Sequence, residues 1–153
     1  MTTVRYASEV PTSAYRLFEF HVDARNLPAI TPAFPPFSLL TPPKRSEAGD
    51  RQRFRIGWER LGSTWEADVV RVVEGRLVED VQVRGPFRRW RHRHEFADLG
   101  SNSALLRDTV SLRLIPTAAG KFAEYFLVRP LVVALFWYRH RKTRQAFAHH
   151  NCS

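Results

Sequence analysis

The sequence is short of cysteine and of acid. Its one cysteine, Cys152, gives neither a disulfide framework nor a thiolate metal site. Asp plus Glu number 15 against 24 Lys plus Arg, a formal net charge of +9 at pH 7. Such an excess favours anionic partners: nucleic acid, a membrane surface or an acidic ligand. Most of it is arginine spread along the chain rather than a lysine-rich tail, so a solvated basic surface is the simpler reading. No apolar run reaches membrane-spanning length; the most apolar one, Leu131 to Tyr138, is far too short. The opening MTTVRYASEV lacks the apolar core of a signal peptide, and a soluble cytoplasmic protein is expected. There is no G-x-S-x-G, no phosphate-binding glycine-rich loop and no cysteine nucleophile, which removes the commonest hydrolase and nucleotide-binding classes. No internal repeat, low-complexity tract or linker appears, so residues 1–153 read as one domain, with no cofactor expected.

What is present is a globular composition, 44% hydrophobic and 25% charged. Val4 to Val10 alternates and reads as a strand, after which Pro11-Thr12-Ser13 stops it and caps a helix over 13–22. Asp23 caps a second short helix through Ile30. Prolines then dominate from Pro28 to Pro43, with a short strand at Phe37 to Leu40. From Asp50 onward, Arg51–Trp58, Ser63–Glu74, Arg76–Arg84, Phe87–Leu99 and Ala104–Ile115 are extended runs separated by glycine-bearing turns. Such short connections mean antiparallel pairing. After Pro116 the pattern is helical from about Lys121 to the end, with Pro130 kinking or dividing the helix. The fold class is α+β: a curved antiparallel sheet of about six to seven strands around a long C-terminal helix, with two short helices after the first strand.

The stretch GPFRRWRHRHEF, residues 85–96, carries the chemistry. Alternation puts Arg88, Trp90, His92, His94 and Phe96 on one face and Phe87, Arg89, Arg91, Arg93 and Glu95 on the other. The aromatic and histidine face should look toward the helix, and the arginines toward water. A two-residue turn at Gly85-Pro86 pairs Asp80 with Arg91 and Glu79 with His92; a bulge at Arg88-Arg89 would turn Phe87 inward and set Asp80 beside His92 instead. A loop centred on Gly100 pairs His92 with Asp108 and His94 with Leu106. Asp108 lies among Leu106, Val110, Leu112 and Leu114, where a carboxylate needs a partner, and His92 is the candidate. His92 and Asp108 are thus the candidate proton-transfer pair, or a satisfied structural pair. His92-x-His94 with an acid has some metal-ligand character, but no fourth ligand is visible and no metal is expected.

In the C-terminal helix, Phe122, Tyr125, Phe126, Phe136, Trp137 and Tyr138 read as core or cavity wall. Leu131, Leu135 and Tyr138 share a face, and the Tyr138 hydroxyl suits a pocket. The following RHRKTR is a basic helix end, read as solvated. Phe34, in the proline-rich segment, is expected to edge the cavity mouth.

Together, VEDVQVRGPFRRWRHRHEF, LLRDTVSLRLIP and VRPLVVALFWYRHR make the chain resemble the START-like SRPBCC superfamily, the helix-grip fold, and its bacterial polyketide-cyclase-like branch. The resemblance implies a hydrophobic cavity between sheet and C-terminal helix that takes lipids, polyketides or other amphipathic molecules, with catalysis in only some members. It also favours Asp80 over Glu79 as the functionally placed acid. The expected ligand-contacting residues are therefore Asp80, Trp90, His92, His94, Phe96, Asp108, Leu131, Leu135, Tyr138 and Phe34. The ranked readings are a non-catalytic binder or carrier of a hydrophobic or amphipathic small molecule, then a cyclase or dehydratase using His92 with an acid. Last comes a binder of nucleic acid or anionic membrane through Arg89, Arg91, Arg93 and the Arg139–Arg144 helix end.

Overall fold

A strand that begins the chain ends up beside the last strand of the sheet, and this closure shapes the molecule. The computed structural model describes residues 1–148, so Cys152 lies outside the described residues. The strands are β1 (Thr2–Val10), β2 (Phe37–Leu39), β3 (Arg51–Ile56), β4 (Ser63–Val73), β5 (Leu77–Arg84), β6 (Arg89–Gly100) and β7 (Ser103–Arg113). They form one seven-stranded sheet in the order β1-β7-β6-β5-β4-β3-β2, antiparallel throughout. Between β1 and β2 lie α1 (Ala14–Val22), a 3-10 turn (Ala24–Asn26) and the single-turn α2 (Leu27–Ile30). Ser13 caps α1 by accepting from the Arg16 amide, and Asp23 caps the 3-10 turn through Arg25.

The C-terminal helical segment starts at α3 (Ala118–Ala123), capped by Thr117, passes through a π-helical turn (Glu124–Val128) and continues as α4 (Arg129–Ala148). Pro130 therefore does not divide it. Proline lacks the N–H that would bond to the carbonyl four residues earlier, and the widened turn immediately before it accommodates the gap. Val128, Val132, Phe136, His140, Thr143 and Phe147 recur at three- and four-residue steps and form the inward stripe.

The core has two parts along the concave face. One joins Leu17, Phe18 and Val22 of α1 to Val78, Phe96, Leu106 and Phe147. The other joins Trp65, Trp90, Val110, Leu112, Val132 and Phe136, with Phe54 and Phe87 packed against it.

Three expectations are corrected here. The β5–β6 connection is not a two-residue turn: β5 ends at Arg84 and β6 begins at Arg89, and Gly85 has no positive φ. The Gln82 side chain instead clamps the loop by hydrogen bonding to both the carbonyl and the amide of Phe87. Of the two registers the sequence left open, the structure has the second, with Asp80 opposite His92 and Glu79 opposite Arg93, so Asp80 shares the concave face and Phe87 turns inward onto Trp90. Glu79 lies on the other face in an ion pair with Arg91. Second, the tight turn after Gly100 pairs His94, not His92, with Asp108, and Phe96 with Leu106. A two-residue slip preserves the faces but changes the partners. Third, of the six helix aromatics read as core or cavity wall only Phe136 is buried; Tyr138 is half-buried, and Phe122, Tyr125, Phe126 and Trp137 are exposed.

Candidate functional site

Asp108 is the hub of the concave face. It lies on β7 between Leu106 and Val110 and is 1% exposed. Its Oδ1 accepts from His94 Nδ1 on β6 at 2.6 Å, and its Oδ2 accepts from His140 Nε2 on α4 at 3.0 Å. An ionised carboxylate only accepts, so both ring nitrogens donate. Burial pushes the Asp108 carboxyl up, but His94, His140 and His92 together overcome this and hold it well below the usual range. His140 Nδ1 bonds to the Ser8 hydroxyl at 2.6 Å, and its ring packs edge-on to Tyr6 at 4.8 Å. Helix α4 is thereby tied through one imidazole to both β1 and β7.

His92 differs from its neighbours. Its Nε2 stands 3.6 Å from Asp108 Oδ1 and its Nδ1 3.8 Å from Asp80 Oδ2, both beyond hydrogen-bonding distance. That Nε2 is buried and has no hydrogen-bond partner. The ring is sandwiched, 4.0 Å from the His94 ring and stacked on Phe136 at 5.2 Å. Burial pulls both His92 and His94 below the ordinary imidazole range, so the pair is neutral at pH 7. Burial pushes the Asp80 carboxyl the other way, up to about 6. Arg139 faces the same group: burial lowers its guanidinium, and the charges of Asp108 and Asp80 work against that. His21 on α1 closes the other end, tilted against His94 at 5.6 Å, and burial brings it down to about 3.

The structure thus gathers Asp80, His92, His94 and Asp108, with Trp90 and Phe96 flanking them on the same face of β6. Trp90 belongs to an aromatic wall, 5.0 Å from Trp65 and 4.9 Å from Phe87, while Phe96 packs on Phe18. Leu135 and Tyr138 are half-buried on α4. Leu131 and Phe34 are not gathered with them: Leu131 is 69% exposed, and Phe34 is 73% exposed, against Trp58 at the surface. Asp80, His92 and His94 also bring donor atoms within 4.8 Å of one another, a two-histidine, one-carboxylate set that suits a transition metal. The cation of Arg139 beside Asp80 opposes a second positive charge there.

Sequence reasoning missed His140, Ser8, Arg139 and His21. The signal for His140 was present, since it continues the spacing Val132, Phe136 by four residues. Its basic neighbours in RHRKTR concealed it.

Residues 10–136 match the family model described as polyketide cyclase/dehydrase and lipid transport. The chain belongs to this family. Ser8 and His140, the tie between strand and helix, lie outside the span by which the chain is recognised as a family member. Solved structures agree with the fold. A START superfamily protein from Mycobacterium smegmatis superimposes with a TM-score of 0.72 at 16% identity, over 96% of this chain and 97% of that one. Norcoclaurine synthase from Thalictrum flavum, in complex with dopamine and hydroxybenzaldehyde, gives 0.71 at 13% identity, over 97% and 87%. A nucleoside-diphosphate sugar epimerase from Corynebacterium glutamicum gives 0.66 at 19% identity, over 93% of this chain and 28% of that one. No curated protein matches the sequence.

Proposed function

We propose that the protein binds an amphipathic small molecule between the concave sheet face and the C-terminal helix. The observation that carries this is His92: a buried, neutral imidazole whose Nε2 has no hydrogen-bond partner, set in an aromatic wall. An unmet buried polar atom costs about 1–3 kcal/mol, which a hydroxyl or carbonyl of a ligand would recover. Asp80 and His92 would hold the polar end, and Trp90, Phe87 and Phe136 the apolar body. Asp108 is already saturated by His94 and His140, so it fixes the rings rather than meeting the ligand. The fold supports the reading, because norcoclaurine synthase holds two small aromatic compounds on the same architecture.

A second reading, proton transfer on such a ligand, rests on Asp80. A carboxyl pushed up to about 6 beside a neutral imidazole can exchange a proton near neutral pH.

The experiment is mass spectrometry of organic extracts from denatured protein, followed by titration with a fluorescent fatty acid and a naphthol. Binding weakened about tenfold in His92→Phe, with the fold retained, is the expected result, since a lost hydrogen bond to a buried group is worth about 1–2 kcal/mol. No extracted molecule and no binding of either probe would sink the proposal. Turnover of a bound compound that disappears in Asp80→Asn would favour the second reading.

A further inference from the structure

The outward side of the C-terminal helical segment is apolar over a length that should be hidden. Phe122, Tyr125, Phe126, Leu131, Val133 and Trp137 are exposed, from 37% at Val133 to 69% at Leu131. Phe126, Pro130, Val133 and Trp137 form one stripe at three- and four-residue steps, and Arg141 and Arg144 continue it. Beside this stripe runs an open groove of about 660 Å³, floored by Tyr6 of β1 and lined by Phe126, Arg129, Val133 and Trp137. Single exposed apolar residues need no explanation, but a continuous patch of aromatics does.

The charge around the patch says what covers it. The only acid of residues 118–148 is Glu124, which is 3% exposed and spent on the Thr2 hydroxyl and the Leu114 amide. Lys121, Arg129, Arg141 and Arg144 are all exposed on the same segment. Three basic groups lie over aromatic rings: Arg129 over Tyr125 at 5.2 Å, Arg141 over Trp137 at 5.4 Å and Lys142 over Tyr138 at 5.7 Å. A ring flanked by a cation and carrying its own polar edge is suited to the boundary between headgroups and acyl chains. A second copy of this chain would bring the same basic residues against themselves, which disfavours self-pairing through this face. No helix of the described residues is long and apolar enough to cross a membrane, and Arg129 interrupts the apolar stretch at its middle.

We propose that the face built by Phe126, Val133, Trp137 and Arg141 docks on an anionic phospholipid surface, with the helix in the plane of the interface. This stands independently of the ligand reading, since none of these side chains belongs to the Asp108 group. Each basic side chain held at an anionic surface strengthens binding about fivefold, and each buried aromatic adds to it.

The test is vesicle flotation with the intact protein, using phosphatidylcholine vesicles with and without phosphatidylglycerol. The expected result is flotation with the anionic vesicles at low salt, falling tenfold or more with neutral vesicles or in 0.5 M salt (a concentration at which the screening length is down to roughly 4 Å). The double variant Phe126→Ser/Trp137→Ser, whose positions are exposed and leave folding intact, should lose flotation as well. Arg141→Glu should lose it while retaining the apolar stripe. No flotation with anionic vesicles at low salt overturns the proposal. So does flotation that the double variant leaves unchanged, or a dimer in sedimentation velocity that the double variant dissociates.

Discussion

The two long sides of one helix teach opposite lessons. The inner side of α4 carries Val132, Phe136, His140, Thr143 and Phe147; the outer side carries Val133, Trp137, Arg141 and Arg144. Both mix aromatic and basic residues, and both follow helical spacing. The inner imidazole, His140, is fixed by a hub carboxylate on β7 and a hydroxyl on β1 and the inner aromatic, Phe136, stacks on His92, whereas the outer Trp137 stays half exposed under Arg141. Composition does not separate the two sides. What each one faces does.

The sharpest way to break the comparison is to remove the hub. Asp108→Ala should cost about 3–5 kcal/mol, because it leaves His94 and His140 buried without their acceptor. Urea unfolding at pH 7 measures this, and a loss below 1 kcal/mol would mean the cluster does not tie helix to sheet. Phe136→Ala should fall in a similar range, about 3–5 kcal/mol, since the side chain is 1% exposed.

Acid should act on the inner side alone. His21, His92 and His94 are all held below the ordinary imidazole range, so the unfolded chain takes up protons that the folded one refuses. Their contribution is complete above pH 6.5 and is lost as pH falls toward the folded values. Asp80 acts in the opposite sense between about 4 and 6, but one acid does not outweigh three imidazoles. Stability at pH 5 should therefore lie below that at pH 7, with His21 alone accounting for about 1–2 kcal/mol. Replacing His21 with Leu should flatten the pH dependence; an unchanged slope would refute its role.

Asp80→Asn sharpens the same point with the opposite sign. Its raised carboxyl destabilises the fold progressively from about pH 4 to pH 6 and fully above that, so the variant should gain about 2–3 kcal/mol at pH 8 and less than about 1 kcal/mol at pH 4. Thermal unfolding at the two pH values checks this. The smallest effect belongs to the outer side: Trp137→Ser should change stability by no more than about 0.5 kcal/mol. A larger loss would show that the outer stripe is packed in solution.

Much of the architecture was legible. Alternation in β6 assigned Trp90, His92, His94 and Phe96 to the inner face and Arg89 and Arg91 to solvent, because a strand's period of two needs no tertiary information. Helix starts at Ser13 and Asp23 were equally local. Partners across strands were less legible. The β5–β6 loop is set by Gln82 reaching the Phe87 backbone, a side-chain contact no turn rule anticipates, and it selects the one of two open registers that puts Asp80 opposite His92. His140 was hidden because its burial depends on β1 lying beside β7, a pairing between Thr2 and Leu112 that chain order does not announce.

The sequence by itself determined the α+β order of elements, the face of each β6 residue and the long C-terminal helix. These follow from periodicity and caps, which are properties of neighbouring residues. Tertiary structure alone decided that Asp108 is shared by His94 and His140, that His92 Nε2 is left without a hydrogen bond, and which side of the C-terminal helix is buried. Those outcomes depend on register and on which surface a helix meets, and both are settled by packing between segments far apart in the chain.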